Sequence, residues 1–287
     1  MSLKKILQKP WLSSASVILT GLYYGTLDIW GDDWKWISEH KDVHGYIYST
    51  LMVLTIFFVV FKCVVDLKEE KVKKDKEELL KKFLIFIKNV VHAKRARFFD
   101  RVARIEPNKR FNFFDEITHP KDQIRFIMTQ VVDFLEFYGV NRSHVEMTVL
   151  GTTSDSNLWE YALVLDRQKQ YTDPNTIMAN NSLARKVIDS GESTFISALN
   201  EGVKQNLFYK SNRSNGAQNI GSIYCKPVTL KIQDKTYKYV FTLVSYGTYL
   251  CSPNDQQEAN EFATLLDEIG DRVELELYLL AMKQHKK

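Results

Sequence analysis

The sequence predicts an α+β protein in three parts. These are an N-terminal two-helix transmembrane hairpin (1–66), a charged, coiled-coil-like helical linker (67–110) and an antiparallel sheet with helices on one face (111–287). Three observations predict this organisation. Two apolar runs near the N-terminus each approach the roughly twenty residues that a membrane-spanning helix needs. A Lys- and Glu-rich segment with heptad-spaced apolar residues follows. Beyond it, apolar periods typical of helices and of strands alternate.

The two apolar runs are residues 12–30 and 46–65. Each has a single charged residue near its end, Asp28 in the first and Lys62 in the second. A helix satisfies its own backbone hydrogen bonds in lipid, so both runs are expected to span the bilayer. The first run is too long for the core of a signal peptide and has no small-residue cleavage site, which favours an uncleaved span.

Lysine distribution sets the expected orientation. Lysines precede the first run and cluster after the second, at 68–76, whereas the loop at 31–45 has more acids than lysines. Both termini are therefore expected in the cytoplasm, with the protein in the plasma (inner) membrane as a multi-pass protein and its soluble domain cytoplasmic.

Features of the hairpin allow two interpretations each. Gly21 and Gly25 put small residues on one helix face, which packs either on the second span or on another copy of the chain. Asp28 is either an interfacial charge or part of a pore lining. His40 and His44, four residues apart, are either solvated loop residues or a metal-binding pair.

The linker is expected to continue the second span as one helix to about Ile105, because Pro107 follows. Its apolar residues recur at heptad spacing, which predicts a seam formed by Leu79, Phe83, Phe86 and Val90. Such a helix would transmit a shift between membrane and domain. Alternatively, it is a stiff spacer whose seam packs on the domain. The basic stretch 93–110 either contacts anionic lipid or a nucleotide phosphate, or is a solvated face.

Beyond residue 115 the periodicity predicts a mixed order of helices and strands. We expect a helix at 119–138 ended by Gly139, strands at 145–151 and 158–165, a short helix at 181–190 closed by Gly191, and a short strand at 194–196. We then expect a polar loop at 201–216, a hairpin with strands at 220–230 and 237–245, and a closing helix from Pro253 to about Lys283.

Composition and motifs exclude several classes of function. The net charge of +4 is too small to indicate nucleic acid binding. The three cysteines have no paired spacing, which argues against a disulfide framework or a zinc site. No phosphate-binding glycine loop, metalloprotease, serine hydrolase or kinase signature occurs. The sequence therefore predicts no catalytic or metal-ligating residue and no enzymatic activity.

The segment SLARKVIDSGESTFI at 182–196 resembles the stretch of GAF domains in which a short helix ends in an S/T-G-E/K turn and leads into a brief strand. IGSIYCKPVTL at 220–230 is similar to the family's strand with a proline, and 255–280 is similar to its closing helix. The resemblance covers about residues 115 to 283. PAS-like sensor domains are the main alternative, and the Leu-Ala-Arg-Lys-Val segment favours GAF.

The resemblance implies a small-molecule pocket between one sheet face and the irregular segments. In this chain the residues lining it would be Tyr161, Asn181, Ser222, Tyr224 and Tyr246, with Phe208 and Arg213 on a lid loop. An arginine with aromatic and hydroxyl groups suits a nucleotide or another polar planar ligand. The signatures of the cyclic-nucleotide, bilin-binding and methionine-sulfoxide-reducing members are absent, so the sequence leaves any cofactor unknown.

These features predict a membrane-anchored small-molecule sensor that forms a homodimer or higher oligomer through its linker and the terminal helices of its GAF-like domain. Ligand binding would shift the linker helix and hence the spans. In a more specific form of this hypothesis, the hairpin is itself an effector that disrupts the membrane, as in two-span effectors of bacterial antiviral signalling. The alternative is a ligand-free dimerisation and docking module that recruits a partner protein to the membrane.

Overall fold

The structure is a computed structural model that describes residues 10–30, 33–105, 114, 117–156, 158–166, 171–207 and 220–286. The chain forms two compact units, Met1–Lys81 and Lys82–Lys287. The boundary between them falls inside a long helix, so the predicted linker at 67–110 is divided between the two units.

The first unit contains helix α1 (Pro10–Trp30), the short helix α2 (Lys35–Glu39) and the first part of helix α3 (Lys41–Ala103). Polar side chains join α1 to α3. Thr20 Oγ1 lies 2.8 Å from Thr55 Oγ1, and Tyr23 OH lies 2.8 Å from His44 Nδ1. As expected from the sequence, α3 continues without a break from the apolar run into the charged segment.

One helix in the described part of the chain, α3, is long and apolar enough to cross a membrane, judged by length and composition. Its most apolar stretch has a mean hydropathy of 2.3, and none of that stretch is buried inside the protein. Helix α1 does not meet the same measure, because serine, threonine, glycine and tyrosine residues interrupt its apolar sequence. The two-span hairpin therefore stays a prediction.

The second unit is built on a five-stranded antiparallel sheet with strand order β2-β1-β5-β4-β3. Its strands are β1 (Val145–Thr153), β2 (Glu160–Val164), β3 (Thr194–Ile196), β4 (Gly221–Ile232) and β5 (Lys235–Tyr246). Its further helices are α4 (Pro120–Phe137), α5 (Pro174–Ala179), α6 (Leu183–Ser190), α7 (Leu199–Lys204) and α8 (Gln256–His285). An α+β fold with an antiparallel sheet is thus confirmed.

Local sequence accounts for the ends of these elements. Ser182 caps α6 by accepting a hydrogen bond from the Arg185 backbone N–H. Gly191 ends the helix in the left-handed conformation, with φ 77°. Asp173 caps α5, which the sequence did not predict, by accepting from the Thr176 backbone N–H.

The two faces of the sheet are covered differently. Helices α4 and α8 cover one face, here called the bundle face, and residues 82–103 of α3 pack on these two helices. Short helices α5, α6 and α7 pack on part of the other face, here called the opposite face, around an apolar cluster that includes Leu150, Val187 and Val240. The expectation that helices lie on one face therefore describes only the long helices.

One expectation needs correction, and one alternative left open by the sequence is decided. The first part of the predicted loop at 201–216 belongs to helix α7, because burial of Leu199 and Gly202 holds this turn against the sheet. The seam of the linker packs on the domain, which is one of the two interpretations of the sequence. Phe86 and Val90 are buried there, and the rings of Phe83 and Phe86 contact Phe134 of α4.

Candidate functional site

The strand register separates the predicted site residues onto different faces of the sheet. Side chains alternate along a strand, so Ser222 and Tyr224 of β4 point to the bundle face. Tyr246 of β5 lies opposite Gly221 and packs on the opposite-face cluster, as does Tyr161 of β2. These four described members of the predicted set therefore do not share one face of the sheet.

Ser222 and Tyr224 have structural partners on the bundle face. Tyr224 is 1% exposed, and its hydroxyl donates to Asp267 Oδ1 of α8 at 2.7 Å. Ser222 is fully buried; its hydroxyl donates to the Ser197 carbonyl at 2.6 Å and accepts from the Leu250 backbone N–H at 3.0 Å. Burial and the neighbouring Asp267 carboxylate raise the pKa of Tyr224 above its ordinary value, so its phenol stays protonated.

Tyr161 and Asn181 lie near the edge of the opposite face. The Tyr161 hydroxyl donates to the Thr172 carbonyl at 2.7 Å, and its ring centroid is 5.3 Å from that of Tyr171. The Asn181 side-chain amide donates to the Asn206 carbonyl at 2.9 Å. Asn181 thus fixes the start of α6 to the chain that leads toward the predicted lid. Phe208 and Arg213, predicted on that lid, lie outside the described residues.

A polar row crosses the middle of the opposite face. In the register of the sheet, Thr148 lies opposite Thr242, Thr242 opposite Cys225, and Cys225 opposite Thr194. The three threonines are half-buried, and Cys225 Sγ lies 3.5 Å from Thr242 Oγ1. The sequence analysis missed this row. Its only signal was one small polar side chain on each of four strands, which becomes a row only once the register is known.

Burial controls the chemistry of Cys225. The thiol is fully buried, which raises its pKa to about 12 although the Thr242 hydroxyl opposes the rise. It is therefore a neutral thiol at physiological pH and a poor nucleophile. The row offers hydroxyl groups as hydrogen-bond donors and acceptors, on the face of the sheet where the Tyr161 and Tyr246 rings also pack. This arrangement can bind a polar ligand but has no activated catalytic group.

Ion pairs connect the bundle face of β4 to α8. Lys226 Nζ bonds to Asp271 and lies 3.2 Å from Glu274 Oε2. Burial opposes the ammonium charge, but the two carboxylates outweigh it and raise the pKa of Lys226. The helix approaches the strand closely at Gly270, where a Cβ would lie 2.6 Å from both Lys226 Cδ and the Tyr224 hydroxyl. A side chain at 270 would push α8 away from β4.

The α3 segment of the second unit is attached to α4 and α8 by polar groups as well as apolar ones. Lys94 pairs with the buried carboxylate of Glu276 on α8. Arg97 donates to the buried Gln123 side chain of α4, and Gln123 Nε2 donates to the Val90 carbonyl at 3.2 Å. This segment is therefore an integral part of the domain rather than a free spacer.

In the described ranges, no group of three or more His, Cys, Asp or Glu residues is placed to hold a metal ion. No protein-family model matches this chain, and no curated protein matches it. A functional assignment therefore depends on the fold and on the residues described above.

Proposed function

We propose that this chain is a membrane-anchored cytoplasmic sensor. A small molecule would bind on the opposite face of the sheet and change the position of α3. The observation that most supports this is that α3 belongs to both units of the chain. The same helix includes the candidate membrane span and, at Phe86, Val90 and Lys94, packs within the sheet unit.

The proposed signal crosses the sheet through β4. Cys225 faces the polar row, whereas its neighbours Tyr224 and Lys226 bond to Asp267 and Asp271 of α8. Helix α8 in turn bonds to α3 through Glu276. A ligand that displaces β4 would therefore move α8 and the α3 segment together. It can do so only if it binds the two arrangements with different affinity.

The proposed ligand is polar and planar, such as a nucleotide. Support comes from the hydroxyl groups of Thr148 and Thr242, which lie on the same face of the sheet as the rings of Tyr161 and Tyr246. Aromatic rings pack on a planar base, and hydroxyl groups bond to its polar edge. The resemblance of residues 115–283 to GAF domains supports the same class.

The proposed membrane part is a hairpin in which both α1 and α3 span the bilayer and both termini are cytoplasmic. The Thr20–Thr55 and Tyr23–His44 contacts support it, because they pair polar groups of α1 that lipid would leave without partners. In the sharper form of the proposal, ligand-driven oligomers of this hairpin disrupt the membrane in bacterial antiviral defence. Toxicity on overexpression that requires residues 12–65 is expected, and harmless overexpression would contradict this form.

A row of exposed apolar residues on α3 supports self-assembly. Leu84, Val91 and Phe98 are 58%, 51% and 44% exposed and lie seven residues apart, on a side of the helix distinct from Phe86 and Val90. A seven-residue repeat is the spacing that pairs two helices. The same row also favours the second candidate function, a docking module without a ligand, if its occupant is a partner protein.

Thermal unfolding of the full chain in detergent with a panel of nucleotides tests the sensor function. We expect at least one nucleotide to raise the midpoint for the wild type, a smaller rise for Thr242→Val, and an unchanged rise for the control Thr264→Val on the exposed side of α8. The absence of a shift with every nucleotide would contradict the sensor and favour the docking module.

A further inference from the structure

A groove lies in the first unit where the start of α1 meets the end of the apolar part of α3. Its volume is about 380 Å³. It is lined by Ser13 from α1 and by Val59, Lys62, Cys63, Asp66, Leu67 and Glu70 from α3. The walls are thus partly apolar, with one basic and two acidic side chains among them.

The groove lies where the apolar sequence of α3 changes into its charged segment. Asp66 is the first acid after the apolar run at 46–65. A helix of about twenty residues matches the hydrocarbon thickness of a bilayer, so a span over that run would place the groove at headgroup level. This step depends on the proposed membrane span of α3.

The charges along the groove have a definite order. Lys62, Asp66 and Glu70 are spaced by four residues, which corresponds to about 6 Å of rise for each step along one side of the helix. Among the described residues, Glu70 pairs with Lys74 at 2.8 Å, but Lys62 and Asp66 form no ion pair with each other. A positive charge, Lys62, therefore lies nearer the apolar run, and two carboxylates lie farther out, of which Glu70 is already paired with Lys74.

A phospholipid with an amine headgroup has the complementary order of charges. Its phosphate lies next to the acyl chains and its ammonium lies farther from them. We propose that this groove binds a phospholipid whose headgroup contains both a phosphate and a primary amine, such as phosphatidylethanolamine. Lys62 bonds to the phosphate, Asp66 and Glu70 accept from the amine, and Val59 contacts an acyl chain.

The same charges select against other headgroups. A glycerol headgroup leaves the lipid with a net negative charge near two carboxylates and gives them no cation to bind. A choline headgroup is cationic but has no N–H to donate to a carboxylate. Charge-assisted hydrogen bonds are roughly twice as strong as neutral ones, so we expect roughly tenfold or greater selectivity for the amine.

Native mass spectrometry of the full chain, loaded with equal amounts of ethanolamine, glycerol and choline phospholipids, tests this site. The wild type is expected to retain the ethanolamine lipid preferentially. Lys62→Met should reduce retention of all three lipids, and Asp66→Asn with Glu70→Gln should remove the preference. The matched controls Lys68→Met and Glu69→Gln, on exposed residues outside the groove, should behave as wild type.

Equal retention of the three lipids by the wild type would overturn the proposal, as would groove variants that match the controls. Carbonate extraction of membranes that contain the same proteins separates this failure from failure of the span. A chain that resists extraction but has no lipid preference contradicts the groove alone. A chain that carbonate releases contradicts the membrane span and, with it, the groove.

Discussion

Lys94 of α3 donates a hydrogen bond to Glu276 of α8, and the two side chains differ sharply in exposure. The Glu276 side chain is 6% exposed, whereas that of Lys94 is 52% exposed. A carboxylate removed from water depends on its cationic partner. This pair therefore holds the α3 segment on α8, at the point where the proposed signal leaves the sheet domain.

Lys94→Met should destabilise the second unit by about 2 kcal/mol. A buried carboxylate without its partner costs about 3–5 kcal/mol, and we reduce this value because water reaches the lysine side of the pair. The free energy of unfolding in urea, measured on the full chain in detergent, checks it. Lys88→Met, which removes an exposed lysine from the same helix, should change stability little. Equal effects of the two changes would contradict the role of the pair.

Gly270→Ala should destabilise the protein by about 1–3 kcal/mol, because the new methyl group would overlap Lys226 and Tyr224. The sign of this change in stability is a direct test, since glycine to alanine in a helix normally stabilises a protein by roughly 0.5–1 kcal/mol. Gly45→Ala, in α3 with open space around the new Cβ, is the control and should be neutral or stabilising. A stabilising Gly270→Ala in thermal unfolding would show that α8 does not approach β4 this closely.

Cys225 should make stability fall at alkaline pH. Burial raises its pKa in the folded protein to about 12 from an ordinary value near 9. Above the ordinary value the unfolded thiol ionises while the folded one stays neutral, so ionisation favours the unfolded chain. The stability that the neutral Cys225 thiol contributes to the folded protein is therefore lost as pH rises from about 9 to 12.

Unfolding measured across that range for the wild type and Cys225→Ala tests this dependence. The difference in stability between the two proteins should be constant below pH 8 and should shift in favour of Cys225→Ala above pH 9. A difference that is independent of pH would contradict a buried thiol at this position.

Leu84→Lys with Phe98→Lys should convert an oligomer into a monomer, because charges would replace both ends of the exposed apolar row. Sedimentation of the full chain in detergent measures the mass. Ile85→Lys is the matched control, since Ile85 is 51% exposed but lies about 100° around the helix from Leu84. An oligomer that survives the double change, or is lost equally with Ile85→Lys, would exclude this row as the interface.

Much of the fold of the second unit can be predicted from the sequence, because apolar residues recur regularly along its elements and residues such as Gly191 mark where they end. The helix that ends at Gly191, the strand Thr194–Ile196 and the long hairpin of β4 and β5 lie close to their predicted positions. Helices α5 and α7 are too short for a period to detect, and tertiary burial of Met178 and Leu199 explains their presence.

The candidate site was harder to predict, because it depends on the pairing of strands. Tyr224 and Tyr246 are both tyrosines near the ends of neighbouring strands, yet the register places them on opposite faces. The same register brings Thr148, Thr242 and Cys225 into one row. The partner of the linker seam was equally hard to predict. Phe86 and Val90 would have the same heptad spacing if they packed on another chain, but in the structure Phe86 contacts Phe134 of the same chain.

Native mass spectrometry of the full chain, purified in mild detergent and then denatured, tests the sensor function most directly. The account predicts a bound small molecule that leaves on denaturation, or one that binds from a nucleotide panel, and weaker retention in Thr242→Val. A chain that stays free of any small molecule through purification and the whole panel would contradict a ligand sensor.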